Sequence, residues 1–397
     1  MVDIVDYVYA NRESFAERPL CRVDSLVLSC LSYLPIPEKI HAAKGVRGIA
    51  LGELGLPDAR RELAQACDEG DDNCRLLDAV AGSPRFSMVR ACLAADRSDQ
   101  ALERQFAAVT FRLPDGTVYV AFRGTDNTLV GWKEDFNMAF RDAVPAQLEA
   151  RGYLESVALQ CEGPLVVGGH SKGGNLAVFA TMNCEPSVRE RVQRCYSHDG
   201  PGFSDEAISS ASWSDAWELV EKTIPGESLI GLLLGTQGNE PVVVQSSHKG
   251  ILQHDPYSWE VSGVDFVRAP ALSYDAYRKA ARINAWLRGM SAPERERFVE
   301  IVYRLLSSSG EVTFSGLVGS LGGTAPGAML RQLKNLPAED RNFFLSCTAE
   351  LAATILLGPA PKIAQTPSEK VQAAVDKVDD ISAKFNDTMA RWERYLR

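Results

Sequence analysis

The chain has 397 residues, 45% hydrophobic and 24% charged, the balance of an ordinary globular protein with enough apolar surface for a large core and an appendage. Its formal net charge is −10, with acidic and basic residues interspersed. No basic stripe is therefore present to neutralise nucleic-acid phosphates, and nucleic acid is not an expected partner.

The nine cysteines form no CxxC pair and leave an odd thiol, which argues against a disulfide framework and against a metal cluster. Together with the acidic start Met1-Val-Asp-Ile-Val-Asp6, which lacks the basic region of a secretory signal, this predicts a cytoplasmic chain. Apolar stretches such as Leu351 to Leu357 are far shorter than the roughly 20 residues of a membrane span. The chain is read as soluble, with no transmembrane segment.

Taken in order, Val23, Leu26, Val27, Cys30, Leu31 and Leu34 recur at spacings of three and four, one apolar helical face that Pro35 and Pro37 end. Residues 53–105 are rich in charge and alanine and read as a helical insertion, laid over a sheet edge or over the mouth of a site as a cap. From Phe106 the pattern changes. Ala108 to Leu113 and Thr117 to Arg123 are β-rich runs joined by Pro114-Asp-Gly116, which reads as a hairpin. A helix over Ala146–Cys161, a strand over Pro164–Gly168, a helix over Gly173–Met182 and a short strand over Arg194–His198 follow, with a further strand at Pro241–Gln245. Alternation of strand and helix predicts an α/β fold, a mainly parallel sheet with helices on both faces.

Beyond about residue 272 the pattern is helical, with Ser291-Ala-Pro-Glu294 resembling a capping box and a last helix starting near Thr366. The expected organisation is an α/β domain over residues 1–268 and a helical C-terminal extension over 269–397. No internal repeat is visible.

The segment Val166-Val-Gly-Gly-His-Ser-Lys-Gly-Gly-Asn-Leu-Ala177 carries the chemistry. A nucleophile elbow turns sharply from a buried strand into a helix so that its serine projects a strained hydroxyl, and glycines two residues to either side prevent a clash. Gly169, Ser171 and Gly173 supply that spacing, with an apolar strand before and a helical run after. The bland alternative is a strand-to-helix turn with a capping serine. An elbow needs an oxyanion hole, and Lys172, next after the serine, offers its backbone N–H by position.

A serine also needs a histidine to take its proton and a carboxylate to orient that histidine. Five histidines exist. His41 lies in the N-terminal region, His170 is inside the elbow and expected to point away from the hydroxyl, and His198 lies too close to a strand end. His248 and His254 remain, both after the serine. Asp199 ends a predicted strand, where α/β sheets place ligand and catalytic groups. Asp255 adjoins one candidate base and is badly placed to orient it.

The elbow, with Val120-Ala-Phe-Arg-Gly-Thr125 and Trp132-Lys-Glu-Asp-Phe136, resembles the class 3 lipases. It is more similar still to a group of bacterial lipase-like proteins that carry Gly-His-Ser-Lys-Gly-Gly-Asn, Asp-Gly-Pro-Gly-Phe and Gln-His-Asp-Pro-Tyr-Ser-Trp, all present here. The resemblance covers roughly residues 1–265 and is specific for the α/β-hydrolase fold rather than for a substrate. It implies that Thr125 gives a backbone N–H and a hydroxyl to the oxyanion hole, and that Trp132 to Phe136 anchors that loop, with Asp135 structural. It also favours His254 as base, through its likeness to a His-x-x-Tyr segment, over His248. Class 3 lipases usually carry the acid one strand later than Asp199, where this chain reads Ile224-Pro-Gly-Glu-Ser228. Either Asp199 or Glu227 then serves, with Asp199 preferred.

The expected reaction is hydrolysis of a small-molecule or lipid ester through an acyl-enzyme, with no cofactor. A thioesterase or amidase would use the same groups, and a binding protein that kept the fold without working chemistry is the rival from another class. Residues 53–105 or 204–222 are candidate lids, and oligomeric state is left open.

Overall fold

A computed structural model describes residues 2–34, 45–64, 72–99, 104–125, 133–134, 137–138, 143–209, 213–235, 238–309 and 325–357. His41, Trp132, Asp135, Phe136 and the helix expected from Thr366 lie outside the described residues. Two compact units divide the chain, Met1–Ala280 and Ala281–Arg397.

The first unit is built on one eight-stranded sheet: β1 (Ile49–Ala50), β2 (Arg90–Asp99), β3 (Arg104–Arg112), β4 (Val118–Phe122), β5 (Leu165–His170), β6 (Val192–His198), β7 (Val220–Pro225) and β8 (Val242–Val244), hydrogen-bonded in chain order. β1 to β4 pair antiparallel, and β4 to β8 pair parallel. The β3–β4 connection is the expected hairpin, closed where Leu113 N donates to Thr117 O at 2.8 Å and Gly116 takes φ 91°. Glycine meets that left-handed requirement without a Cβ clash.

Strand β4 shows why the parallel part is apolar throughout. Tyr119 and Ala121 join one buried cluster while Val118, Val120 and Phe122 join another, because successive side chains leave a strand on opposite faces. On the first face lie helices α1 (Ile4–Ala10) and α2 (Arg22–Leu31), whose Val23, Leu26, Val27, Cys30 and Leu31 are the predicted stripe. On the second lie the helices Pro145–Gln160 and Lys172–Asn183. A mainly parallel sheet covered on both faces, with a strand–turn–helix at its centre, is the α/β-hydrolase fold.

The insertion at 53–105 departs from the all-helical expectation. Helices Pro57–Ala64 and Asp72–Gly82 are present, but Arg90–Asp99 is a long strand paired with β3 and β1. Its sequence, Arg-Ala-Cys-Leu-Ala-Ala-Asp-Arg-Ser-Asp, lacks β-branched residues, and the register shifts between Cys92 and Ala95. That irregularity breaks the alternation by which a strand is recognised. In the candidate lid 204–222, Val220 to Lys222 belong to β7. Among the described residues, Cys21, Cys30, Cys92, Cys161, Cys184, Cys195 and Cys347 are free thiols.

Helix Tyr274–Gly289 runs across the division between the two units. Within the second unit, helices Ala292–Ser307, Ala325–Asn335 and Ala338–Leu357 gather a small core of Ile301, Leu305 and Leu336, with Phe343 and Phe344 packed against it. The predicted cap is present: Glu294 Oε2 accepts from Ser291 N at 2.8 Å and Ser291 Oγ at 2.7 Å. Among the described residues, no helix is long and apolar enough to cross a membrane.

Candidate active site

The parallel register sets β4, β5 and β6 side by side, with Phe122 opposite Gly169 and His170 opposite His198. Thr125, Ser171 and Asp199 therefore all lie just past the C-terminal ends of adjacent strands, where open α/β sheets gather functional groups.

Ser171 has φ 58° and ψ −132°, a conformation that costs a non-glycine residue about 1–3 kcal/mol. Its N donates to His198 O at 2.9 Å, which holds the turn against β6. The flanking glycines are required by space. A Cβ on Gly173 would strike the carbonyl of Phe122, and one on Gly169 would meet the same oxygen at 2.7 Å as well as the Gly173 backbone.

Ser171 Oγ lies 2.9 Å from His254 Nε2, and His254 Nδ1 lies 2.6 Å from Asp199 Oδ2. Because a carboxylate only accepts, Nδ1 carries the hydrogen and Nε2 is left to accept from the serine hydroxyl. Asp199 is fully buried, and its other oxygen accepts from Ser228 Oγ at 2.5 Å and Gly231 N at 3.2 Å. Burial alone would raise this carboxyl. The His254 hydrogen bond and charge, with the Ser228 hydroxyl, outweigh it and hold the group below the usual carboxylate range.

Each resembling segment has a structural task. In the elbow, Asn175 Nδ2 donates to Gly202 O at 2.9 Å and Pro201 O at 3.2 Å while its Oδ1 accepts from Gln147 Nε2 at 2.8 Å, tying the loop after Asp199 to the elbow helix. Phe203 seats that loop edge-on against Trp213, centroids 5.0 Å apart. In the last segment, Gln253 Oε1 accepts from Glu227 N at 2.7 Å, and Trp259, wholly buried, donates Nε1 to Gln253 O at 2.8 Å. Asp255 caps the turn Pro256–Ser258 by accepting from Tyr257 N at 3.1 Å.

The alternatives are elsewhere. His248 is exposed, with Nδ1 3.2 Å from Leu252 O and 3.7 Å from Asp255 Oδ2. Glu227 accepts from Gly250 N and, at 3.4 Å, from Gln253 Nε2, so it braces the loop that carries His254. His198 is buried on β6, its Nε2 2.9 Å from Ser25 Oγ.

The Lys172 side chain ends on a carboxylate. It is buried and reaches Glu134 Oε2 at 2.5 Å and Gln105 O at 3.0 Å. Glu134 in turn accepts from Gln105 N and Ala146 N, each at 2.9 Å. Gly124, one residue before Thr125, lies against the elbow: a Cβ there would meet the Tyr33 hydroxyl, His170 O at 2.7 Å and Ser171 Cβ at 3.2 Å. Among the described residues, no group of three or more His, Cys, Asp or Glu side chains could hold a metal ion.

The sequence matches the family described as Mbeg1-like over residues 80–304. The chain belongs to that family. Among curated proteins none matches. Similar solved structures include Rhizomucor miehei lipase in its propeptide complex, at 14% identity over 48% of this chain and 71% of that one, with TM-score 0.31. A triacylglycerol lipase whose catalytic centre is described as a serine protease triad has 14% identity over 57% and 80%, with TM-score 0.34. A lipase from Rhizopus microsporus var. chinensis has 15% identity over 52% and 82%, with TM-score 0.33. The span that matches this Mbeg1-like family contains Thr125, Ser171, Asp199 and His254.

Sequence reasoning missed Ser228, Gly231, Asn175 and Glu134. Ser228 had a signal: it stands in the segment searched for the acid, where a hydroxyl and an N–H now support a carboxylate from the preceding strand.

Proposed function

We propose that the chain is a serine hydrolase that cleaves carboxylic esters through an acyl-enzyme. The observation that carries this reading is the unbroken hydrogen-bond chain from Ser171 Oγ through the His254 ring to Asp199 Oδ2, anchored at neighbouring strand ends.

In this reading Ser171 Oγ attacks the ester carbonyl carbon while its proton passes to His254 Nε2, and the carbonyl electron pair moves onto oxygen. Asp199 keeps the Nδ1–H tautomer and stabilises the imidazolium. The oxyanion is met by the Lys172 N–H and by the N–H and hydroxyl of Thr125; the approach of Gly124 to Ser171 supports this placement. Collapse breaks the ester C–O bond, and the departing alkoxide takes the proton from Nε2. Water, deprotonated by His254, then releases the acid and returns the proton to Ser171. All of these residues lie within 1–268, to which we assign the chemistry, and none within 269–397.

A panel of p-nitrophenyl acyl esters, the matching thioesters and acyl anilides tests the reaction class. Ester turnover that disappears in Ser171→Ala supports the assignment. Turnover confined to thioesters or anilides moves it to a thioesterase or amidase, and turnover unchanged in Ser171→Ala removes the serine from the reaction.

A further inference from the structure

His170 precedes the serine, and neither the sequence reading nor the reaction above gives it a task. Its imidazole is buried, with Nε2 2.9 Å from the main-chain oxygen of His254. A carbonyl oxygen only accepts, so Nε2 carries a hydrogen and donates it. The Tyr33 hydroxyl lies 3.4 Å from Nδ1 and 3.5 Å from the His170 main-chain oxygen, two acceptors that share its one hydrogen. These contacts fit a neutral Nε2–H tautomer. The rings of His170 and His254 lie with centroids 4.7 Å apart, tilted by 34°, and Trp259 meets the His170 ring edge-on at 6.3 Å.

The loop that carries His254 is short and partly exposed. It is the short 3-10 segment Gly250–His254, and its Ile251 and Leu252 are 59% and 62% exposed. The braces at Glu227, Trp259 and Asp255 act on neighbours of His254. The His170 bond falls on the main chain of His254, as the Asp199 bond falls on its ring, and comes from the end of β5, one peptide away from the serine.

We propose that His170 is a positioning residue for His254, so that one peptide bond and one hydrogen bond set the separation of Ser171 Oγ from His254 Nε2; the inference rests on reading Ser171 and His254 as nucleophile and base. Burial, and next the neighbouring His254, push the His170 pKa down to about 3. The ring beside His254 therefore stays neutral at working pH and does not oppose the imidazolium formed there.

The test compares full-length wild type, His170→Gln and His170→Phe, with a p-nitrophenyl ester and with fluorophosphonate labelling. Glutamine presents an amide N–H at the same reach; phenylalanine keeps a ring against His254 but has no donor. His170→Met, also donor-free, replaces the Phe variant if that one does not fold. The donor-free variant is expected to lose about 10- to 100-fold in kcat, the scale of a base displaced by about an ångström, with KM within about threefold. Its labelling slows in parallel, and His170→Gln recovers to within about fivefold of wild type. Unchanged kcat in the donor-free variant, or equal loss with glutamine, overturns the inference. A wild type that neither labels nor turns over overturns the underlying reading and this inference with it.

Discussion

Lys172 Nζ and Glu134 Oε2 form an ion pair 2.5 Å long with both side chains buried, joining the residue after the proposed nucleophile to the segment that follows β4. Taking both charges out of water is costly, so removing one partner costs more than the pair contributes. Lys172→Met is expected to lower unfolding free energy by about 3–5 kcal/mol, and Lys172→Met with Glu134→Gln by less than the sum of the single changes. Urea titration checks this; a single variant within about 0.5 kcal/mol of wild type contradicts it.

Asp199 and Glu227 make separable predictions. Asp199 touches Nδ1 of His254, whereas Glu227 only braces its loop. Asp199→Asn is expected to lower kcat/KM by about 10³- to 10⁴-fold, because an amide no longer enforces the tautomer. Glu227→Gln should cost about tenfold through loop position alone. Steady-state ester hydrolysis decides, and equal losses would move the orienting acid to Glu227.

Two buried imidazoles make stability depend on pH. Burial first, then the neighbouring His254 for His170 and the neighbouring His170 and Arg22 for His198, lowers their pKa values from 6.5 to about 3. Between those values the unfolded chain binds protons that the folded chain refuses, so stability falls as pH falls. The slope is about 1.4 kcal/mol per pH unit for each histidine. The depressed carboxyl of Asp199 adds the same sign below its ordinary 3.8. Urea unfolding from pH 7 to 4 should show this loss, and His198→Phe should flatten it; a flat wild-type profile contradicts the account.

The parts of the fold with strong local pattern were legible. Leu165 to Val167 and Val118 to Phe122 are apolar because both faces of the sheet are covered, and the glycines around Ser171 announce a turn with no room for Cβ. Strand β2 was not legible, since a register shift and alanines erase its period. The Ser171, His254 and Asp199 constellation was readable from strand ends and segment resemblance. Ser228 supports Asp199 from 29 residues away and Glu134 meets Lys172 across 38; such partners are set by the register of β6 on β7 and by a loop path that no periodicity records. The contact of the His170 ring with the loop of His254 was not legible, since that relation exists only after β8 returns the chain to the site.

The most direct test of the central claim is active-site labelling with a fluorophosphonate, read by mass spectrometry of the modified peptide. The account predicts one phosphonylated residue, Ser171, no labelling in Ser171→Ala, and labelling slowed by about 10³-fold or more in His254→Ala. A label on another residue, or one that persists undiminished in Ser171→Ala, would contradict it.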